Sequence, residues 1–172
     1  MSFRGWGIKK FFPISRLGRV QQSGQGPGMR SFLSSFTFKI DAKGRVSIPA
    51  AFRTTLVEFG SKEFLAFRSP TARSIHCVTP QLIEQLTAAQ NPLAAFGIGD
   101  PTLATVSLPE IDPIEPDPDG RAVLPRHLID YAGLDGMALF AGRGSYFEIW
   151  APGAFDTHQH ALRRRLVPRE QP

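Results

Sequence analysis

Arg45 and Arg121 each end the same short phrase, Asp41-Ala42-Lys43-Gly44-Arg45 and Asp117-Pro118-Asp119-Gly120-Arg121. Each phrase then runs through three residues, the third apolar, into a proline: Val46-Ser47-Ile48-Pro49 and Ala122-Val123-Leu124-Pro125. Aspartate at the head of a turn accepts backbone N–H bonds, and glycine three residues on supplies a positive φ, so Asp41, Gly44, Asp117 and Gly120 read as turn residues. A guanidinium beside such a turn has two uses. It can bond back to Asp41 or Asp117 as a structural salt bridge, or it can enter a major groove and grip guanine through O6 and N7. In the second reading Lys43 and Arg53 would add phosphate contacts, which position a protein without reading sequence. Asp119 stands where the first phrase has Lys43, and Glu115 is near. Acids repel phosphate, so Arg121 is expected to contribute less than Arg45, or to serve structure.

Other chemistry is poorly supplied. No Gly-x-x-x-x-Gly-Lys-Ser/Thr loop is present to cradle phosphate. The acidic run from Glu115 to Gly120 imitates a calcium loop, but with Gly120 at the sixth position the twelfth falls on Arg126 instead of a bidentate Glu. His158 and His160, two apart, would point to different sides of a helix and make a poor metal pair. His76 and His127 stand alone in sequence and read as packed or surface histidines. No nucleophile–base pair emerges from spacing. No enzyme activity, cofactor or metal is expected.

The elements that must hold the arginines follow from the same residues. After each turn, side chains alternate in a short strand, so Arg45 and Ser47 face one way and Val46 and Ile48 the other. Arg121 and Val123 likewise oppose Ala122 and Leu124. Pro49 and Pro125 suit the first turn of a helix, and the spacing predicts helices over residues 49–59 and 125–132, the latter stopped by Gly133. Hairpins are expected over 64–78, with Ser69 and Pro70 as breakers, and over 137–150, with Gly142 and Gly144. Each runs into a further Pro-led helix, at Pro80 and at Pro152. The two arginines lie 76 positions apart (45 to 121), so a unit of domain-like length is duplicated.

The phrases IDAKGRVSIPAAFR (residues 40–53), PDPDGRAVLPRHLIDYAGL (116–134) and YFEIWAP (146–152) resemble the MraZ family of bacterial regulators, which carry two tandem AbrB/SpoVT-type motifs. The resemblance covers about residues 32–155. It implies a mainly β fold with short helices (α+β), namely a swapped-hairpin β-barrel built from two tandem AbrB-like repeats. It further implies ring-like homo-oligomers and sequence-specific binding of double-stranded DNA at short direct repeats, in the promoter of the division and cell-wall gene cluster. Such a protein would be cytoplasmic and nucleoid-associated. An alternative of another class is a protein-interaction module of the same fold, such as the antitoxin of a toxin–antitoxin pair. Two motifs and a short tail argue against it.

Composition bounds these readings. A chain of 172 residues is one ordinary domain or two small ones. Each half has roughly 70 residues, marginal for an independent core, and intertwining the halves is a remedy. The net charge of +5 misleads: residues 1–30 hold six basic residues and no acid, leaving 14 basic against 15 acidic elsewhere. DNA binding must therefore come from local clusters multiplied by assembly, not from a basic body. Residues 1–30 read as a disordered basic extension, with a start at Met29 or a transit-like leader as other readings. Residues 31–90 form the first repeat, 91–102 a linker, 103–160 the second repeat and 161–172 a basic tail. A strand is expected at 103–108, between loops. The lone Cys77 reads as a buried thiol. Phe36, Phe38, Ile40, Val46, Ile48, Leu124, Leu139, Phe147, Ile149 and Trp150 read as core or subunit interface.

Overall fold

The computed structural model describes residues 30–88 and 110–166. All but the last residue of the basic extension, and all of the linker and of the strand expected at 103–108, fall outside the described residues. The order of elements is β1 (Ser35–Lys39), β2 (Arg45–Ser47), α1 (Ala50–Glu58), β3 (Phe64–Arg68), β4 (Ile75–Val78), α2 (Pro80–Ala88), β5 (Asp112–Ile114), β6 (Arg121–Val123), α3 (Arg126–Ala132), β7 (Met137–Gly142), β8 (Phe147–Trp150) and α4 (Pro152–Leu166). The expected class, mainly β with short helices, is what the chain adopts.

Six strands form one antiparallel sheet in the order β1-β7-β8-β4-β3-β5, and β2 pairs with β6 in a separate two-stranded ribbon. The halves exchange strands. β1 of the first half lies beside β7 of the second, with Phe36 opposite Phe140 and Phe38 opposite Ala138. β5 of the second half lies beside β3 of the first, with Phe64 opposite Ile114. The pairing scheme is unchanged when the halves trade places, which is an approximate two-fold relation. Two strand pairs straddle its axis. In β4–β8 the central pair is His76 with Glu148, and in β2–β6 it is Val46 with Ala122.

Why the elements start and stop where they do is local chemistry. Pro49 and Pro125 sit at the N-cap positions of α1 and α3, just ahead of the first turn, with extended backbone (ψ 133° and 140°). Their carbonyls accept the first helical N–H bonds, from Phe52 and Arg53 and from Leu128 and Ile129. The proline ring therefore fixes the approach to the helix instead of its first residue. Gly133 ends α3 in the left-handed conformation, at φ 63°, as its lack of a Cβ permits. In α1 the buried Phe52, Thr55 and Leu56 share one face by their three- and four-residue spacing.

Phenylalanines knit the halves together. Phe147 of β8 lies 5.0 Å, centroid to centroid, from both Phe32 and Phe52, and 5.2 Å from Phe64 of β3. All four rings are 0–1% exposed. Truncating a ring at such a centre costs about 3–5 kcal/mol, so Phe147→Ala would strike both halves at once. Of the expected core residues, Phe36 and Phe38 are only half-buried, packed against this cluster. Leu139 is half-buried as well, because alternation in β7 turns Ala138 and Phe140 inward instead. Trp150 is buried on the other side of the sheet, beneath α4, where its ring meets Phe155 and His158.

Candidate nucleic-acid interface

The two Asp-x-x-Gly turns are built alike. Gly44 N–H bonds Asp41 O at 2.9 Å, and Gly120 N–H bonds Asp117 O at 2.8 Å. Asp41 Oδ1 accepts from the Arg45 N–H at 2.9 Å, and Asp117 Oδ1 from the Arg121 N–H at 2.8 Å. Both glycines carry positive φ, 81° and 78°. Each turn then hands a bond across the ribbon: Leu124 N–H to Gly44 O at 2.9 Å and Ile48 N–H to Gly120 O at 2.8 Å.

Those cross-bonds set which residues face out. Pairs at even positions carry the ladder bonds, so Arg45–Val123 and Ser47–Arg121 are non-hydrogen-bonded pairs, whose side chains approach most closely. Val46 and Ala122 are buried on the inner face, while Arg45, Arg121 and Val123 are exposed and Ser47 partly so. The outer face is thus a small rectangle with arginines at opposite corners, about 7–8 Å apart by diagonal cross-strand spacing. Lys39 and Asp41 join Arg45, Ser47 and Arg121 around a shallow groove there.

The two arginines differ in restraint. Arg45 Nε donates to Asp41 Oδ2 at 2.7 Å, so the structural salt bridge weighed for it is present. The Arg45 backbone N–H, then its side chain, hold the Asp41 carboxyl below the ordinary carboxylate range. An exposed pair of this kind adds little stability. Its geometric effect is larger: with Nε occupied, both terminal guanidinium nitrogens remain available. The Asp117 carboxylate receives only the Arg121 backbone N–H, and the Arg121 guanidinium has no partner among the described residues. Lys43 is exposed at the tip of the first turn, its N–H bonded to Asp41 Oδ1 at 2.9 Å.

Arg53 sits apart from the outer face. It is half-buried on α1, and its guanidinium lies against Gly120 of the opposite turn, where a Cβ would collide with it. With Glu115 and Asp117 it lines a hollow beside that turn. Its counterpart across the two-fold relation is Ile129, which packs against Gly44 in the same manner. Further away, Arg163, Arg164 and Arg165 are exposed in the last turn of α4, where cations complement the helix dipole.

Sequence reading overlooked one polar centre. Glu148 Oε1 accepts from His76 Nε2 at 3.0 Å, while Oε2 accepts from Arg143 Nε at 2.8 Å and Trp150 Nε1 at 2.9 Å. Burial alone would raise the Glu148 carboxyl. The His76 and Arg143 hydrogen bonds outweigh it, aided by the charge of His76 and the Trp150 N–H, and hold the pKa at about 2. Cys77 next to His76 is fully buried, and burial followed by the Glu148 charge pushes its thiol well up, which makes it a poor nucleophile. Among the described residues no His/Cys/Asp/Glu group could hold a metal ion, and no helix is long and apolar enough to cross a membrane.

Comparison with known proteins places this arrangement. Residues 111–166 match the family model described as "MraZ protein, putative antitoxin-like". The transcriptional regulator MraZ of Beijerinckia indica is 35% identical over 80% of this chain and 84% of its own length. That of Parvibaculum lavamentivorans is 37% identical over 80% and 86%, and that of Pelagibacter ubique 35% over 78% and 86%. Identity at this level over about four fifths of the chain means that the chain belongs to the MraZ family, whose named members are transcriptional regulators.

Proposed function

We propose that the protein is a sequence-specific, duplex-DNA-binding transcriptional regulator that reads the major groove with the β2–β6 ribbon. The observation that carries this reading is the shared outer face, on which Arg45 and Arg121 project from opposite strands. A major groove admits a two-stranded ribbon, and bidentate arginine–guanine bonding is its commonest specific contact. The arginine diagonal of about 7–8 Å spans roughly two steps of a duplex rising about 3.4 Å per step. Arg45, oriented by Asp41, is the principal base-reading residue. Lys43 is a phosphate contact beside it. Arg121 contributes less, because Asp117 and Asp119 oppose the phosphates around it. Arg53 supports the second turn and lends charge near the backbone.

One ribbon with two arginines is a small footprint, so the working form is a homo-oligomer, a ring of subunits bound to tandem short repeats. Linked copies multiply affinity by roughly 10²–10⁴ without any new contact. The targets implied are promoters of the division and cell-wall gene cluster, its own included, which puts the protein in the cytoplasm on the nucleoid. Footprinting on the DNA upstream of its gene, at several stated salt concentrations, tests the proposal. Protection of evenly spaced repeats is expected, and binding equal on all sequences would overturn it.

The wording of the matching family model favours a second reading, an antitoxin-like partner of another protein. Co-purification of a small toxin with the natively expressed protein, in the absence of specific footprints, would favour that reading.

A further inference from the structure

Val123 is 60% exposed, one of few large apolar side chains left in water among the described residues. Its position gives that exposure a meaning. It stands directly opposite Arg45 on the outer face of the ribbon, with Arg121 two residues earlier on its own strand. An apolar side chain between two guanidiniums meets no core there, since Val46 and Ala122 fill the inner face. Its two-fold counterpart is Ser47, a small polar residue, so the outer face repeats its arginine at opposite corners but not its apolar side chain.

The major groove offers one apolar feature per A·T pair, the 5-methyl group of thymine. We infer that Val123 packs on a thymine 5-methyl and is a specificity-determining residue, giving the ribbon a defined direction along the site. The inference rests on the proposed reading of DNA by this ribbon. Because Arg45 and Val123 are a close cross-strand pair, with Cβ atoms about 4.5–5.5 Å apart, the thymine lies within about one base step of the guanine held by Arg45. Ser47, at the equivalent corner, has no apolar surface to give and takes either base.

The experiment uses the full-length protein and duplex sites selected from a random pool. In each site every thymine is replaced in turn by deoxyuracil, which lacks only the methyl group and keeps its pairing and its O4 acceptor. Loss of one buried methyl corresponds to about fourfold weaker binding, expected at one thymine next to an essential guanine. Val123→Ser, exposed and hence harmless to folding as checked by circular dichroism, should bind the thymine and deoxyuracil duplexes equally. It should keep the wild-type affinity for the deoxyuracil duplex. Specific binding with no thymine preference at any position, or a preference unchanged in Val123→Ser, overturns the assignment of Val123 and leaves the arginine reading intact. Failure to select any sequence overturns the arginine reading itself, and this inference with it.

Discussion

His76 and Glu148 occupy equivalent places in the two repeats, yet they face each other across β4 and β8 and share a 3.0 Å hydrogen bond at the axis that relates the halves. Both are buried, at 2% and 6% exposure. With Arg143 and Trp150 also bonded to Glu148, this centre fixes the register of the strand pair that joins the repeats.

Glu148→Gln should therefore destabilise the fold by about 3–5 kcal/mol, the usual loss when one member of a buried charged pair is removed. Urea denaturation followed by tryptophan fluorescence measures it. A loss under 1 kcal/mol would show that the network is not coupled to folding.

The same carboxyl sets a dependence on pH. Its folded pKa, about 2, lies below the ordinary value of 4.5. A depressed carboxylate stabilises fully above its unfolded pKa, and the contribution is lost as pH falls from about 4.5 through about 2. Wild-type protein should lose about 3 kcal/mol over that window on this account. Glu148→Gln should lack that component, as pH-resolved denaturation curves would reveal.

Asp41→Asn separates geometry from charge. Removing an acid beside the DNA-facing arginines should tighten binding if charge alone matters. If Asp41 instead orients Arg45 through its Nε, specific affinity should fall by about 1–2 kcal/mol while non-specific affinity holds or rises. Fluorescence anisotropy on specific and scrambled duplexes distinguishes the two. Arg45→Ala should cost about 1–3 kcal/mol and relax one base position, and Arg121→Ala less.

Gly44→Ala should be worse tolerated than Gly120→Ala. Both impose a Cβ at positive φ, but at Gly44 it would meet the Leu124 carbonyl oxygen at 2.7 Å, a rigid main-chain group. At Gly120 it meets the Arg53 guanidinium, which can swing away. Strain of about 1–3 kcal/mol is expected at the first site, readable as a lower thermal midpoint, with the smaller shift at the second.

Much of this was legible in the chain. The turns, the strands after them, both hairpins and the stop at Gly133 are local chemistry, and the residues that dictate them are adjacent in sequence. Long-range partnerships were not. His76 looked isolated because its partner lies 72 residues away. β5 hid in a Pro-rich stretch, since Pro113 argues against a strand. It is tolerated because β5 is the edge of the sheet among the described residues, where a missing N–H leaves no ladder bond broken. Arg53 looked like a free cation on a helix, and only the fold shows Gly120 of the other repeat beneath its guanidinium. The outer rectangle needed the β2–β6 register, which no spacing within either half contains.

A homodimer of one such repeat would place every axial residue opposite its own copy, histidine against histidine or carboxylate against carboxylate. Neither could supply both a donor and a charged acceptor without sharing protons between like groups. Joining two copies in one polypeptide removes that constraint, and acid and base can then divide the axis between them. The same freedom lets Lys43 diverge from Asp119, Arg53 from Ile129 and Ser47 from Val123. Covalent linkage thus turns a self-complementary pair into two unlike partners, each able to vary without its twin.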